Sequence, residues 1–239
     1  MSEHDNGLKK SLAVIGVLHT APGLCAVITN ELRLAGLALD PIHLVDEGLL
    51  RMAARSGTTP ELVDRLATQC GYLVASGAAG VLVSCSSLGT AVAELRPHVG
   101  FRLFRIDEPM AKQAIAVGGR VGVAATIVST LAPTVALLEA TAAASGTRIE
   151  VIPQLCNGAF DALREGRLDE HDRHVEAVLE SLAASCDVIV LAQASMRRVL
   201  EARGPSYLAE LPVLSSPTSG VRQLAPFASE LARRGASKP

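Results

Sequence analysis

The sequence predicts an α/β chain built on parallel sheets, and three observations carry that prediction. Short runs rich in Val, Ile, Leu and Ala recur along the 239 residues, stretches with helical spacing separate them, and parts of the first half reappear in order in the second. Strands that are uniformly apolar rather than alternating are buried on both faces. Where such strands alternate with helices, the sheet they form is parallel.

The strand candidates, in order, are LAVIGVL (12–18), PIHLVD (41–46), AGVLVSC (79–85), FRLFRI (101–106), GRVGVAAT (119–126), RIEVIP (148–153), DVIVLA (187–192) and LPVLSS (211–216). Between them, TPELVDRLATQCGYLVASG (59–77) places Leu62, Leu66, Cys70 and Leu73 on one helical face. Thr59-Pro60 opens that helix and Gly77 closes it. The repeat is visible in three pairs. GVLHT at 16–20 returns as GVAAT at 122–126, an offset of 106. GVLVSCSSL at 80–88 returns as VIVLAQASM at 188–196, and IDEP at 106–109 as LSSP at 214–217, both at an offset of 108. Three ordered matches at nearly constant offset indicate a duplicated α/β unit.

Composition narrows the function classes. Apolar residues make up 49% and charged residues 19%, which suits a folded chain with a sizeable core. Aromatics are only 3% and 22 basic residues face 24 acidic ones, so the sequence lacks the basic, aromatic-interleaved stripe of a nucleic-acid binder. MSEHDNGLKKS at the N-terminus reads as a short tail without the apolar segment of a secretion signal, which places the protein in the cytoplasm. Residues 121–138 carry no charge, but Thr126, Ser129, Thr130, Pro133 and Thr134 break the run into strand, loop and helix, so no membrane span is expected. The apolar 127–143 segment offers a surface for a second copy of the chain. Cysteines 25, 70, 85, 156 and 186 form no CxxC pair, and neither a zinc site nor a disulfide framework is expected. The glycines of VGGRVG (117–122) precede their strand, whereas a dinucleotide fingerprint places them after it. No metal, flavin, nicotinamide or pyridoxal phosphate is therefore called for.

Parallel sheets bind ligands beyond the carboxyl ends of their strands. Four polar groups are expected to converge there: His19-Thr20, Cys85-Ser86-Ser87, Thr126, and Gln193-Ala194-Ser195. A helix starting after Cys85 would aim free backbone N–H groups at the thiol and favour its thiolate. Cys156 is a loop thiol near this region, and Cys25, Cys70 and Cys186 read as packing residues. His171 and His174, in LDEHDRH, read as a solvated helix face. Asp107 either supplies a carboxylate near the cleft or caps the next helix.

The run of IGVLHTAPG, VLVSCSSLG, GRVGVAATIVST, CNGAFDAL, VIVLAQASM and PVLSSPTSG resembles the aspartate/glutamate/hydantoin racemase superfamily, with its maleate isomerase and arylmalonate decarboxylase relatives, over almost the whole chain. The resemblance implies two similar flavodoxin-like domains about a pseudo-twofold axis, with the active site in the cleft between them. The first domain would span 1–108 and be completed by a C-terminal helix at 216–239, and the second would span 109–215. It further implies cofactor-independent proton transfer at the α-carbon of a small carboxylate, amino acid or hydantoin-like substrate.

In two-base members of that superfamily one cysteine from each half flanks the α-carbon. Cys85 takes the first position, whereas Gln193 takes the second and no histidine follows it. Cys85 is thus expected to carry the proton. Gln193 would donate a hydrogen bond to a substrate oxygen. His19 would be either a substitute base on the other face or a carboxylate-binding or capping residue. Thr20, Ser86, Ser87, Thr126, Ala194 and Ser195 would supply hydroxyls and backbone N–H groups for the developing enolate. A single-cysteine lyase and a non-catalytic carboxylate-binding protein are the alternatives.

Overall fold

The computed structural model describes residues 12–204 and 206–236. The MSEHDNGLKKS segment lies outside the described residues. The first half runs β1 (Ala13–His19), α1 (Leu24–Leu34), β2 (Leu39–Val45), α2 (Glu47–Ser56), α3 (Pro60–Ala75), β3 (Gly80–Val83), α4 (Gly89–Leu95) and β4 (Arg102–Arg105). The second runs α5 (Glu108–Val117), β5 (Gly119–Ala125), α6 (Val128–Ser145), β6 (Ile149–Leu155), α7 (Ala159–Arg164), α8 (Leu168–Ala183), β7 (Val188–Leu191), α9 (Arg197–Arg203) and β8 (Val213–Ser215). Two helices, α10 (Ser216–Arg222) and α11 (Ala225–Ala236), follow.

Each expected strand is present, and the strands form two four-stranded parallel sheets. Their orders, β2-β1-β3-β4 and β6-β5-β7-β8, are the same when the halves are superposed in sequence. The duplication extends to single residues. A Cβ on Gly16 would lie 2.9 Å from the Leu73 Cβ of α3, and one on Gly122 would lie 3.0 Å from the Cys186 Sγ just beyond α8. In both halves a glycine in the central strand lets the covering helix approach closely.

Local chemistry explains the helix starts. Thr59 Oγ1 accepts from the Leu62 N–H at 3.3 Å, and Pro60 occupies the first turn of α3, where its missing N–H costs nothing. Asp46, at the end of β2, accepts from the Gly48 N–H at 2.9 Å and from Arg65 and Gln69 of α3, fastening α2 and α3 to the first sheet. Pro109 and Pro217 open α5 and α10 at equivalent places, as the IDEP and LSSP match implies.

Each sheet is covered on both faces. Leu62, Leu66, Cys70 and Leu73 of α3 pack with Val81 and Val83 on one face of the first sheet. On the other, Val221, Leu224 and Phe227 pack with Ile15, Val17, Leu82 and Ile106, so the C-terminal helices cover the first sheet. A Cβ on Gly220 would meet the Ile106 carbonyl at 2.3 Å, so only glycine permits that approach. Met110, Ala111, Ala114 and Ile115 of α5 pack in the second core with Val121, Val123 and Val188.

The uncharged run divides, as expected, into β5, a turn and α6. Helix α6 has 18 residues with a mean hydropathy of 1.2, long and apolar enough by those measures to cross a membrane, and 22% of it is buried. His171 departs from the solvated reading: it is fully buried, with Nδ1 2.8 Å from Asp172, and only His174 is on the exposed side of α8. The even spread of charge in LDEHDRH conceals the periodicity that carries His171 onto the same buried face as Val175, Leu179 and Leu182.

Candidate active site

A cavity of about 170 Å³ lies where the carboxyl ends of the two sheets face each other. The first half contributes Thr20, Ser84, Cys85, Ser86 and Ser87 from strand ends. The second contributes Gln193, Ala194 and Ser195, joined by Ser216 and Pro217 at the start of α10. Apolar side chains complete the walls: Leu24 and Ile28 of α1, Leu50 of α2, Ile106, Ile127, and Phe160 and Leu163 of α7. Ser87 Oγ and Thr130 Oγ1, 2.7 Å apart, join the two halves at the cavity. Outward the cavity opens into a wider vestibule edged by Glu47, Arg51 and Arg164.

Cys85 lies two residues beyond β3 in extended conformation (φ −114°, ψ 115°), and a short 3-10 turn, Ser86–Leu88, follows it. Burial pushes the Cys85 thiol up from its ordinary 9.0, against the opposing effect of hydrogen bonds from Thr20, from the Ser87 N–H and hydroxyl, and from the Leu88 N–H. The donors expected at the helix start are therefore present, but desolvation outweighs them. This corrects the sequence expectation of a favoured thiolate, which counted the N–H groups and not the apolar walls around them.

Gln193 occupies the equivalent place two residues beyond β7, again before a 3-10 turn, Ala194–Met196. Its Oε1 accepts from the Thr126 N–H at 2.7 Å and its Nε2 donates to Thr126 Oγ1 at 2.6 Å. Thr126 and Thr20 are themselves equivalent residues of the repeat, so threonine holds cysteine in one half and glutamine in the other. Thr126 is buried behind Gln193 and does not line the cavity.

The structure does not bring His19 into the cavity. Its ring is fully buried beneath α1, with Nδ1 2.8 Å from Ser84 Oγ and Nε2 2.8 Å from His43 Nδ1. Burial, together with the His43 charge, lowers its pKa to about 4. In a parallel strand successive side chains point to opposite faces; His19 and Thr20 are neighbours, and Thr20 takes the cavity side. Asp107 neither caps α5 nor reaches the cavity, because Arg105 Nε and Nη2 donate to its two carboxylate oxygens at 3.0 and 2.9 Å in a buried pair. Cys156 is buried in the second core with Ala159 and Val175. Of the described residues that line the cavity, Cys85 alone carries a titratable side chain, and none is charged.

The family model for Asp/Glu/hydantoin racemase matches residues 45–224. The chain belongs to the Asp/Glu/hydantoin racemase family. Membership makes it an enzyme of racemase type, an isomerase class to which the paired parallel sheets conform.

Solved structures share that architecture at low identity. The glutamate racemase isoform RacE1 of Bacillus anthracis is 16% identical and superposes with a TM-score of 0.71 over 92% of this chain and 83% of that one. The aspartate racemase of Picrophilus torridus is 12% identical, with a TM-score of 0.68 over 92% and 98%. The allantoin racemase of Klebsiella pneumoniae is 14% identical, with a TM-score of 0.58 over 93% and 89%. No curated sequence relative matches the chain.

Residues that sequence reasoning passed over include the apolar wall, Leu50, Ile127, Phe160 and Leu163, and the polar contributions of Ser84 and Ser216. The LSSP repeat was a signal for Ser216, since it aligns Ser216 with the start of a helix at a strand's carboxyl end. The apolar residues carry no signal that separates a cavity wall from a core.

Proposed function

We propose that this racemase-family enzyme moves a proton at the α-carbon of a small carboxylate, or a hydantoin-like compound, bearing an apolar substituent. The observation that carries the reading is the cavity itself: one titratable group, Cys85, within walls that hold no charge. An acidic side chain such as that of aspartate or glutamate would have no cation to meet inside, and an α-ammonium would have no carboxylate. An apolar substituent is accommodated by Leu24, Ile28, Phe160 and Leu163.

In this reading the Cys85 thiolate takes the α-proton and the thiol returns it. The enolate oxygens that form are held by the first-turn N–H groups of Ser86, Ala194 and Ser195 and by the hydroxyls of Thr20 and Ser87. Gln193, locked on Thr126, shapes the second face and carries no transferable proton. His19 acts from behind the wall as a positioning residue, holding Ser84 next to Cys85. The proton therefore moves on one face of the substrate. The five cysteines form no disulfide, which suits the cytoplasm.

The test is exchange in D₂O with each enantiomer of a panel of 2-aryl and 2-alkyl acids, amino acids and 5-substituted hydantoins. Wild type is expected to wash deuterium into one enantiomer of an apolar substrate, and Cys85→Ser to lose that exchange by about 10³-fold or more while remaining folded. Full exchange in Cys85→Ser, or preference for aspartate and glutamate, overturns the reading.

A further inference from the structure

Behind the cavity wall, three side chains from three separate elements converge. His19 ends β1, His43 lies on β2 and Cys25 on α1, and one ligand atom from each lies within 4.8 Å of the others. Leu24 and Ile28 of α1 face the cavity, whereas Cys25 and Thr29, one residue further along, face this cluster. Nothing in the proposed chemistry uses the Cys25 thiol or the His43 ring.

The hydrogen bonds fix where the free nitrogens point. Ser84 Oγ donates to the Leu18 carbonyl at 3.2 Å, so it accepts from His19 Nδ1–H at 2.8 Å. His19 Nε2 is then an unprotonated lone pair aimed at His43 Nδ1, 2.8 Å away. The outer nitrogen of His43 lies 2.8 Å from Thr29 Oγ1. Each imidazole is thus anchored by a hydroxyl on the nitrogen away from the cluster, which is how a protein orients histidines that ligate a metal.

We propose that His19 Nε2, His43 Nδ1 and Cys25 Sγ form a binding site for zinc or a similar borderline divalent cation. Two imidazoles and a thiolate are the donor set such ions prefer, with a fourth position left for water. Tetrahedral coordination with bonds of about 2.0–2.1 Å places two nitrogens about 3.3 Å apart, so the histidines need to separate by about half an ångström. Binding displaces the proton between them. The His43 proton moves from Nδ1 to Nε2, where the Thr29 hydroxyl turns from donor to acceptor, and the Cys25 thiol releases one proton to solvent. The ion would clamp α1 to β1 and β2 and so stiffen the wall that carries Leu24 and Ile28.

The spacing of residues 19, 25 and 43 matches no sequence signature of a zinc site, so the sequence alone predicts none. The experiment uses the full chain, dialysed against chelator and titrated with zinc by calorimetry and with cobalt by absorption. One equivalent is expected to bind, with a thiolate-to-cobalt charge-transfer band in the near ultraviolet. Cys25→Ser should abolish the band, and His43→Ala should weaken zinc binding at least about 10-fold. His174→Ala, which removes the exposed histidine of α8, should change neither. Should a variant unfold, zinc protection of the half-buried Cys25 from iodoacetamide in wild type reads the same contact. Absence of binding at millimolar zinc, a band that survives Cys25→Ser, or alkylation unaffected by zinc overturns the proposal.

Discussion

Replacing Gln193 by cysteine tests the proposal that a single thiol decides the stereochemical course. The side chain removed makes two short bonds to Thr126, at 2.7 Å to its N–H and 2.6 Å to its hydroxyl. Thr126 is 5% exposed, so its N–H loses its partner in a site that water reaches poorly. Leaving a buried donor unsatisfied costs about 1–3 kcal/mol. The first half shows how much of this is recovered, because Thr20 there donates to Cys85, and the Thr126 hydroxyl can do the same to a thiol at 193. A loss of about 1–2 kcal/mol in denaturant titrations is therefore expected, with the fold retained. The functional change is the larger one. A positioned acid/base contributes about 10²–10⁴-fold to a proton transfer, and the new thiol faces the cavity from the half opposite Cys85. Chiral chromatography of each enantiomer after incubation in D₂O should show single-face exchange in wild type and interconversion of both enantiomers in Gln193→Cys. Wild type that inverts both enantiomers at equal rates, unaltered by the substitution, would refute the one-thiol reasoning.

Two further outcomes follow from burial. Because burial pushes the Cys85 thiol up, the thiolate is a minor species at neutrality and increases as pH rises; the exchange rate should climb about tenfold per pH unit from neutrality upward, and a plateau near neutrality would mean a depressed thiol. Asp107→Ala leaves Arg105, whose side chain is only 7% exposed, without its carboxylate; chemical denaturation should register a loss of about 3–5 kcal/mol, and a loss below about 1 kcal/mol would mean the guanidinium finds water.

The strands, the duplication and the strand-end polar residues were legible because each leaves a local mark. A buried parallel strand is a run of apolar residues, and a strand that ends at a site stops on Cys85 or Gln193. The orientation of His19 was not legible in the same way. Its neighbour Thr20 reaches the cavity and His19 does not, a distinction of one residue at a strand end, where the alternation of the strand gives way to a turn. His43 and Cys25 were missed because their meeting with His19 depends on how α1 sits over two strands, which no spacing in the chain encodes. The sign of the Cys85 shift was misjudged for a related reason: backbone donors follow from the turn after a strand, whereas desolvation depends on walls supplied by Ile106, Phe160 and Leu163 from distant segments.

The retained symmetry makes the departures from it informative. Thr20 and Thr126 still hold the residue at the end of the third strand of their half, the two 3-10 turns still follow, and Gly16 and Gly122 still admit their helices. Against that constancy, a thiol in one half stands opposite a carboxamide in the other. An amide held at both ends by Thr126 spends one N–H on the Thr126 hydroxyl and keeps the second, but it cannot turn without breaking a short bond and has no proton to transfer, so the second face of the cavity is fixed in shape and inert to proton transfer. A site with one proton carrier treats the two faces of a planar enolate differently. In the proposed reading, reprotonation from Cys85 returns the proton to the side from which it left, so inversion requires the intermediate to turn over inside the cavity. Apolar walls without a charged anchor leave the substituent freer to make that turn than a site that clamps both ends of a dicarboxylate. Substrates with compact substituents should therefore invert faster, relative to exchange, than those whose aryl groups wedge against Phe160 and Leu163.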